Sequence, residues 1–140
     1  MILFSAYFKV LRHSAKKNEK EIHYRGQKKW IANNSKASLA EKWMEHYLVI
    51  NKLKQRIETI ECDLHAKFTF YFPKTVYYTK KGVRSKNLPD LSNLYELPQD
   101  ALQEVGIISD DTQICSHDGS RREPIDGSEY YIRIELFKFE

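Results

Sequence analysis

Cysteine is scarce in this chain, because its 140 residues include only Cys62 and Cys115. Two cysteines are too few for the disulfide framework of a small secreted protein, and these two do not form the Cys-x-x-Cys pair of a metal-binding or redox motif. We therefore expect two small, buried, free thiols in a protein of a reducing compartment, the cytoplasm.

Long apolar runs are also absent. No run approaches the roughly 20 residues that a membrane-spanning helix needs, and residues 1–10 lack the basic start and long apolar core of a signal peptide. We expect neither a membrane association nor a signal peptide. With five glycines and four prolines, the chain has no evident linker, repeat or low-complexity segment. Its length fits a single domain, residues 1–140, and its 41% hydrophobic residues are typical of a folded protein.

The clearest periodic signal lies in residues 61–72, where apolar and polar residues alternate. The apolar set is Cys62, Leu64, Ala66, Phe68, Phe70 and Phe72. Such alternation predicts a strand with one face on the core, and Pro73 is expected to end it. Looser patterns predict further strands over residues 2–11, 107–115 and 129–139.

Two helices are predicted. The first begins near Leu39, because Ser38 and Glu41 match a capping box, and runs into the low 50s. Its predicted packing face is Leu39, Trp43, Tyr47 and Ile50. The second follows Ser92, a possible cap, and ends at Gly106. Its predicted face is Leu94, Leu97, Ala101, Leu102 and Val105, with a kink or broken first turn at Pro98. The predicted fold class is α+β, a single domain in which a small mixed sheet packs with two main helices.

Positive charge is concentrated in two segments. Residues 12–36 hold eight Lys and Arg against two Glu, and residues 74–87 hold five against none. Gly26 and Gly82 each offer a turn. Each segment is either a solvated loop or a phosphate-contacting arm, and Tyr24 and Trp30 are available to stack on unpaired bases. The candidate DNA-binding residues are Lys16, Lys17, Lys28, Lys29, Lys80, Lys81, Arg84 and Lys86, joined by Arg121 and Arg122 of a turn-rich loop at 116–128.

Lys and Arg are missing from residues 90–111, although the net charge of the chain is +4. This acidic island carries six carboxylates: Asp90, Glu96, Asp100, Glu104, Asp110 and Asp111. Carboxylates hold a cation while Lys and Arg hold phosphates, so this arrangement favours metal-dependent phosphodiester hydrolysis with Mg²⁺. The alternative is an ordinary acidic surface. On the predicted strand at 107–115, Asp110 and Asp111 would point to opposite faces, so only one is expected in a site.

Three short motifs within and just beyond the acidic island resemble the signature of the RusA family of Holliday junction resolvases. They are Pro89-Asp90-Leu91-Ser92-Asn93-Leu94, Asp100-Ala101-Leu102 and Asp110-Asp111-Thr112-Gln113-Ile114. The family signature is Pro-Asp-x-Asp-Asn-Leu, then Asp-Ala-Leu, then Asp-Asp-x-Gln-Ile at the same separations. The resemblance implies a homodimeric, Mg²⁺-dependent endonuclease, with Mn²⁺ a possible substitute, that cuts four-way DNA junctions in recombination and repair. Such proteins are commonly encoded by phages and prophages.

By this resemblance Asp90 and Asp111 are metal-site residues, with Asn93 and Asp110 in support. Ser92 stands where the signature has a second Asp, and Glu96 where the best-known members have a Lys. We hypothesise that Glu96 restores the missing carboxylate, with Asp100 on the same helical face. The catalytic set is then Asp90, Asp111 and Glu96, and Asp100 joins these three as a metal ligand. Lys80, Lys81, Arg84 or Arg121 would supply the lost positive charge. The alternative is a weak or inactive enzyme that binds branched DNA.

Overall fold

The computed structural model describes residues 1–13, 20–25, 28–33 and 35–140, and the side chains of residues 1–13 and 38–140. In chain order the elements are β1 (Ile2–Val10), β2 (Lys20–Arg25), β3 (Lys28–Asn33), α1 (Ser35–Gln55), β4 (Leu64–Pro73), α2 (Lys74–Tyr77), a first 3-10 helix (Leu91–Leu94), α3 (Glu96–Glu104), a second 3-10 helix (Asp111–Gln113), β5 (Ile114–Ser116), β6 (Arg121–Ile125) and β7 (Tyr130–Lys138).

Five strands form one mixed sheet. Strand β7 lies between β1 and β4 and is antiparallel to both. The other edge of β4 pairs in parallel with two short strands, β5 near its start and β6 along its second half. Strands β2 and β3 pair with each other as a separate antiparallel ribbon. The predicted α+β class with a mixed sheet is therefore confirmed.

The core lies on one face of this sheet, as the alternation in the sequence predicts. Every second residue of the three long strands is buried, which matches a strand with one face on the core. The buried set is Phe4, Ala6, Phe8 and Val10 of β1, Leu64, Ala66, Phe68, Phe70 and Phe72 of β4, and Ile132, Ile134 and Leu136 of β7. Pro73 ends β4 as expected.

Helix α1 differs from its prediction in both its start and its packing face. It begins at Ser35, so Ser38 lies inside the first turn and is not a cap. The buried residues are Ala40, Met44 and Leu48, one position beyond the predicted series, and Leu39 is 59% exposed. Trp43 lies at the margin of the core, where its Nε1 donates to the carbonyl oxygen of Lys9 at 2.8 Å. An indole N–H needs a partner when it is covered, which keeps Trp43 at the edge.

The second predicted helix is split into the first 3-10 helix and α3. Pro98 is the third residue of α3, where the missing N–H has no intrahelical acceptor anyway, so the break precedes it. Ser92 lies within the 3-10 helix and not at a cap. Gly106 ends the helical region with a positive φ of 75°, as predicted. Leu94, Leu97, Ala101 and Leu102 are buried, also as predicted.

Several local predictions are wrong. The predicted loop at 116–128 contains β6, and the segment at 74–87, predicted to be a loop or a ribbon that turns at Gly82, begins with the short helix α2. Residues 107–115 are not a continuous strand, because Asp111–Gln113 form the second 3-10 helix and β5 has only three residues. Both cysteines are free, as expected, but Cys115 is exposed and Cys62 only half-buried. In the described part of the chain, no helix is long and apolar enough to cross a membrane.

His13 joins the two central strands just after β1. Its Nε2 lies 3.0 Å from the carbonyl oxygen of Tyr71 and 2.9 Å from that of Tyr131, two residues that face each other across β4 and β7. Since both neighbours are acceptors, Nε2 carries the hydrogen and bridges them. Burial lowers the pKa of this imidazole to about 4, so the ring is neutral at neutral pH.

Candidate active site

Asp90 is held through the peptide groups on either side of it. Arg122 of β6 donates from Nη1 to the carbonyl oxygen of Pro89 at 2.8 Å. The backbone N–H of Asn93 donates to the carbonyl oxygen of Asp90 at 3.1 Å. Asp90 precedes the first 3-10 helix and is exposed, and its side chain makes no capping hydrogen bond to that helix. The backbone is therefore fixed while the carboxylate remains accessible.

Asp110 and Asp111 lie on a tight turn and not on the predicted strand. Asp110 caps the second 3-10 helix, and its Oδ1 accepts from the backbone N–H of Thr112 at 2.9 Å. The turn places the two neighbouring carboxyl groups close enough for each to shift the pKa of the other. The prediction that only one of them joins a site rested on the alternation of an extended strand, which the structure does not have at these residues.

Gln113 braces this turn with four hydrogen bonds. Its Oε1 accepts from the backbone N–H groups of Ser109 at 2.7 Å and of Asp110 at 2.9 Å. Its Nε2 donates to the carbonyl oxygens of Ile60 at 2.8 Å and of Cys62 at 2.9 Å. The side chain is buried, so without it four partly buried backbone groups would each lose a bond. The Asp-x-x-Gln spacing of a capping box was the available sequence signal for this role.

Negative charge is concentrated at Asp111. Burial raises its pKa first, and the hydrogen bond and charge of Asp110 and the charge of Asp100 raise it further. The pKa of Asp110 is lowered, chiefly by the backbone N–H of Thr112. The donors are carboxylate oxygens, which hard divalent cations prefer, and a cation would relieve the like charge at Asp111. The residues present therefore fit Mg²⁺ or Mn²⁺.

Helix α3 carries Glu96 and Asp100 one turn apart, both half-buried. The helix is tied to the turn at Asp110–Asp111, which we call the acidic turn, by Gln103, whose Oε1 accepts from the backbone N–H of Asp111 at 3.1 Å. Asp100 is near enough to Asp111 to raise the pKa of that carboxyl. Glu96 and Asp100 each interact with other groups of the protein. Asp100 is thus an α3 carboxylate that the structure connects electrostatically to Asp111.

The predicted ligands do not meet in one cluster. Within residues 1–13 and 38–140, no three His, Cys, Asp or Glu side chains converge closely enough to hold a metal ion. The structure connects Asp100, Asp110 and Asp111 electrostatically, without gathering Asp90, Glu96, Asp100 and Asp111 around one point. Mg²⁺ commonly takes only one or two protein carboxylates and completes its shell with water and substrate phosphate oxygens. The separation of the carboxylates is compatible with that mode of binding.

The basic residues before the acidic island lie on an exposed turn. Tyr78 and Arg84 form an isolated antiparallel bridge, and Gly82 turns the chain with a φ of 80°, as predicted. We call residues 78–86 the basic turn. Its cationic residues are Lys80, Lys81, Arg84 and Lys86, all exposed. A cavity of about 420 Å³ adjoins the turn. It is lined by Lys74, Thr75, Tyr78, Thr79 and Lys80.

The two arginines of β6 have different contacts. Arg121 is exposed and forms an ion pair with Glu123. Arg122 is half-buried and contacts Pro89. Among the other predicted DNA contacts, Lys16 and Lys17 lie outside the described residues. Lys28 and Lys29 lie on β3, but their side chains, like those of Tyr24 and Trp30, are outside the described part.

An aromatic stack lies beside α3. The ring of His117 stacks on that of Tyr95 with centroids 4.0 Å apart, and His117 Nε2 lies 2.7 Å from Oε1 of Gln99. Phe68 of β4 contacts both rings, with centroids 6.0 Å from Tyr95 and 5.4 Å from His117. Burial lowers the pKa of His117. The stack joins the start of α3 to the loop between β5 and β6, and nothing in the sequence pattern indicated it.

The fold and the candidate site together indicate a class of protein. An α+β domain that carries carboxylates on two turns at the β5–β6 edge of its sheet, with an exposed lysine-rich turn directly before them in the chain, has the charge distribution of an enzyme acting on a polyanion. A sequence profile of the family described as endodeoxyribonuclease RusA matches residues 12–135. The chain therefore belongs to the RusA family, and membership implies endodeoxyribonuclease activity of the Holliday junction-resolving kind. Comparison with curated proteins found no match.

Proposed function

We propose that this protein is a metal-dependent endodeoxyribonuclease that resolves four-way DNA junctions by paired phosphodiester hydrolysis in recombination and repair. The carrying observation is that both acidic motifs of the family signature, at Asp90 and at Asp110–Asp111, lie on turns whose backbones are independently braced. Such bracing supports a catalytic role, because a site needs its reacting groups held in place.

Asp90 and Asp111 are the proposed ligands, with Asp100 and Glu96 as additional carboxylates. A bound Mg²⁺, or Mn²⁺, would supply a lower pKa for an attacking water and would neutralise charge at the leaving oxygen. Asp111 contributes a carboxylate whose pKa is raised by burial and by its like-charged neighbours, and a bound cation would relieve that repulsion. Asp90 contributes an exposed carboxylate on a fixed backbone.

Branched DNA is the proposed substrate, and the basic turn its proposed phosphate contact. The four cations there are exposed and come immediately before Asp90 in the chain. Arg121 and the lysines of residues 16–29 extend this proposed surface. A four-way junction has two-fold symmetry and needs two cuts, so we propose that the protein acts as a homodimer with two active sites. DNA as substrate and two free cysteines support placement in the cytoplasm.

The test compares labelled four-way, Y-shaped and linear duplex DNAs, with Mg²⁺ and with EDTA. We expect paired symmetric nicks in the four-way junction only when Mg²⁺ is present, and little cleavage of the linear duplex. Equal cleavage of all three DNAs would contradict junction resolution but would still agree with a nuclease activity. Absence of cleavage in every case would contradict the enzymatic proposal.

A second candidate is a protein that binds junctions without cutting them. It is favoured by Ser92 and Glu96, which replace the Asp and Lys of the family pattern, and by the lack of a three-carboxylate cluster in the described residues. Tight, salt-sensitive binding of the four-way junction with no cleavage in either Mg²⁺ or Mn²⁺ would favour this candidate.

A further inference from the structure

Arg122 has a contact that sets it apart from the other cations near the site. It lies on β6, opposite Phe70 of β4 in the sheet register, and its side chain is half-buried. Its Nη1 donates to the carbonyl oxygen of Pro89 at 2.8 Å. This carbonyl belongs to the peptide group that joins Pro89 to Asp90. A charged donor on a peptide oxygen forms one of the stronger classes of hydrogen bond.

The consequence for Asp90 follows from the geometry of its two peptide groups. The peptide before it is anchored by Arg122, and the peptide after it by the N–H of Asn93. The ring of Pro89 also fixes the φ angle of Pro89 itself, the residue before Asp90. With both peptide planes fixed, the exposed carboxylate retains only its side-chain torsions. Loss of the Arg122 contact would free the first of these planes and move the carboxylate with it.

We infer that Arg122 is a positioning residue that holds Asp90 in its metal-binding orientation and is not a phosphate contact; this rests on the proposed function. Its neighbour Arg121 provides the contrast, because adjacent strand residues point to opposite faces. Arg121 is exposed and paired with Glu123, and it remains a candidate DNA contact. The two arginines carry the same charge and occupy adjacent positions, so they form a matched pair for an experiment.

The experiment compares Arg122→Gln with Arg121→Gln in the full chain, since each removes one positive charge. For Arg122→Gln we expect junction affinity and its salt dependence near wild type, a cleavage rate lowered about 10- to 100-fold, and a higher half-saturating Mg²⁺ concentration. Arg122→Lys should recover part of the rate, because an ammonium group can still donate to the carbonyl. For Arg121→Gln we expect weaker binding, a salt slope smaller by about one, and an unchanged Mg²⁺ requirement.

Two readouts without catalysis separate this inference from the proposed function. The carbonyl ¹³C chemical shift of Pro89, detected through the amide of Asp90, should move upfield in metal-free Arg122→Gln and stay near wild type in Arg122→Lys and Arg121→Gln. Calorimetric Mg²⁺ binding should weaken in Arg122→Gln alone. If wild type cuts no DNA, the proposed function fails while these two readouts still decide the role of Arg122. An unchanged Pro89 shift, or a salt slope reduced as in Arg121→Gln at an unchanged Mg²⁺ requirement, would overturn the inference.

Discussion

The turn that carries Asp90 and the acidic turn at Asp110–Asp111 hold their aspartates in opposite ways. Asp90 is fixed from outside its side chain, through the peptide groups on either side, and its carboxylate is exposed. Asp111 lies on a turn that the buried amide of Gln113 fixes, and its carboxyl is surrounded by like charge from Asp110 and Asp100. One turn therefore depends on a charged arginine of β6, and the other on a buried neutral amide.

This difference shows that matching motifs need not have matching supports. The side chain of Asp90 makes no capping hydrogen bond to its 3-10 helix, whereas Oδ1 of Asp110 accepts one from Thr112. The pKa of Asp110 is lowered, and the pKa of the neighbouring Asp111 is raised. Changes at Asp90 should therefore act on cleavage with little effect on folding. Changes at the Asp110–Asp111 turn should affect cleavage, folding and pH dependence together.

The largest expected effect is the loss of either aspartate. Asp90→Asn and Asp111→Asn should each lower single-turnover junction cleavage by at least about 1000-fold, because metal-ion stabilisation of the transition state is worth several kcal/mol and each 1.36 kcal/mol is a factor of ten. Junction binding should persist in both variants. Asp111→Asn should also raise the thermal midpoint of the metal-free protein, because it removes a like charge, and Asp90→Asn should not. Joint loss of binding and cleavage would indicate structural damage instead.

The next largest effect concerns the brace of the acidic turn. Gln113→Ala should destabilise the domain by about 3 kcal/mol, because it removes a buried side chain and leaves four partly buried backbone groups without their partner. Gln103→Ala is the matched control, since the exposed side chain of Gln103 accepts a hydrogen bond from the N–H of Asp111 and is not buried as that of Gln113 is. The control should cost less than about 1 kcal/mol. Urea unfolding measures both variants, and equal costs would show that Gln113 is not the main support.

The regular part of the fold was predictable because its signals are local. Alternation in residues 61–72 marks β4, and Gly106 marks the end of α3. Strand β6 was missed because it is short, contains Pro124 and forms an edge, where proline is tolerated. The capping box at Ser38 failed because the same spacing also fits the interior of a helix.

The sequence indicated the candidate residues of the site but not the groups that support them. Asp90 and Asp111 follow from motif and charge, and their roles remain predictions. The brace at Gln113 depends on Ile60 and Cys62, which lie about 50 residues away in the chain. The anchor of Pro89 depends on Arg122, 33 residues away. Periodicity and spacing carry no information about such partners, because the sheet brings them together.

Substitution of Glu96 tests whether α3 contributes a carboxylate to the metal site beside Asp90 or only the one near Asp111. If Glu96 replaces the carboxylate missing at Ser92, Glu96→Gln should lower Mg²⁺-dependent junction cleavage about 10-fold, at the low end of the range for groups that tune a metal site. Asp100→Asn provides the comparison from the same helix. A wild-type rate in Glu96→Gln would exclude the compensation hypothesis and leave Asp100 as the α3 carboxylate of the site.

The smallest expected effect is a pH dependence confined to the acidic turn. The pKa of Asp111 is raised above its ordinary value of 3.8. The contribution of Asp111 to the free energy of unfolding of the metal-free protein is therefore complete below pH 3.8 and is lost as the pH rises through the raised pKa. Asp110→Asn should reduce this loss, because it removes the hydrogen bond and charge that help to raise that pKa. Asp100→Asn should act in the same direction and more weakly. Urea unfolding in EDTA across pH 3 to 7 measures this effect; identical profiles for wild type and Asp110→Asn would contradict it.

The bridge that His13 makes between β4 and β7 has a consequence for how the domain tolerates acid. Burial lowers the pKa of this imidazole from its ordinary 6.5 to about 4, so the stability that depends on the neutral ring is complete above pH 6.5 and lost as pH falls towards 4. The difference corresponds to at most about 3 kcal/mol, a large share of the stability of a small domain. We therefore expect a mildly acidic buffer to weaken the contact that His13 makes between the two central strands.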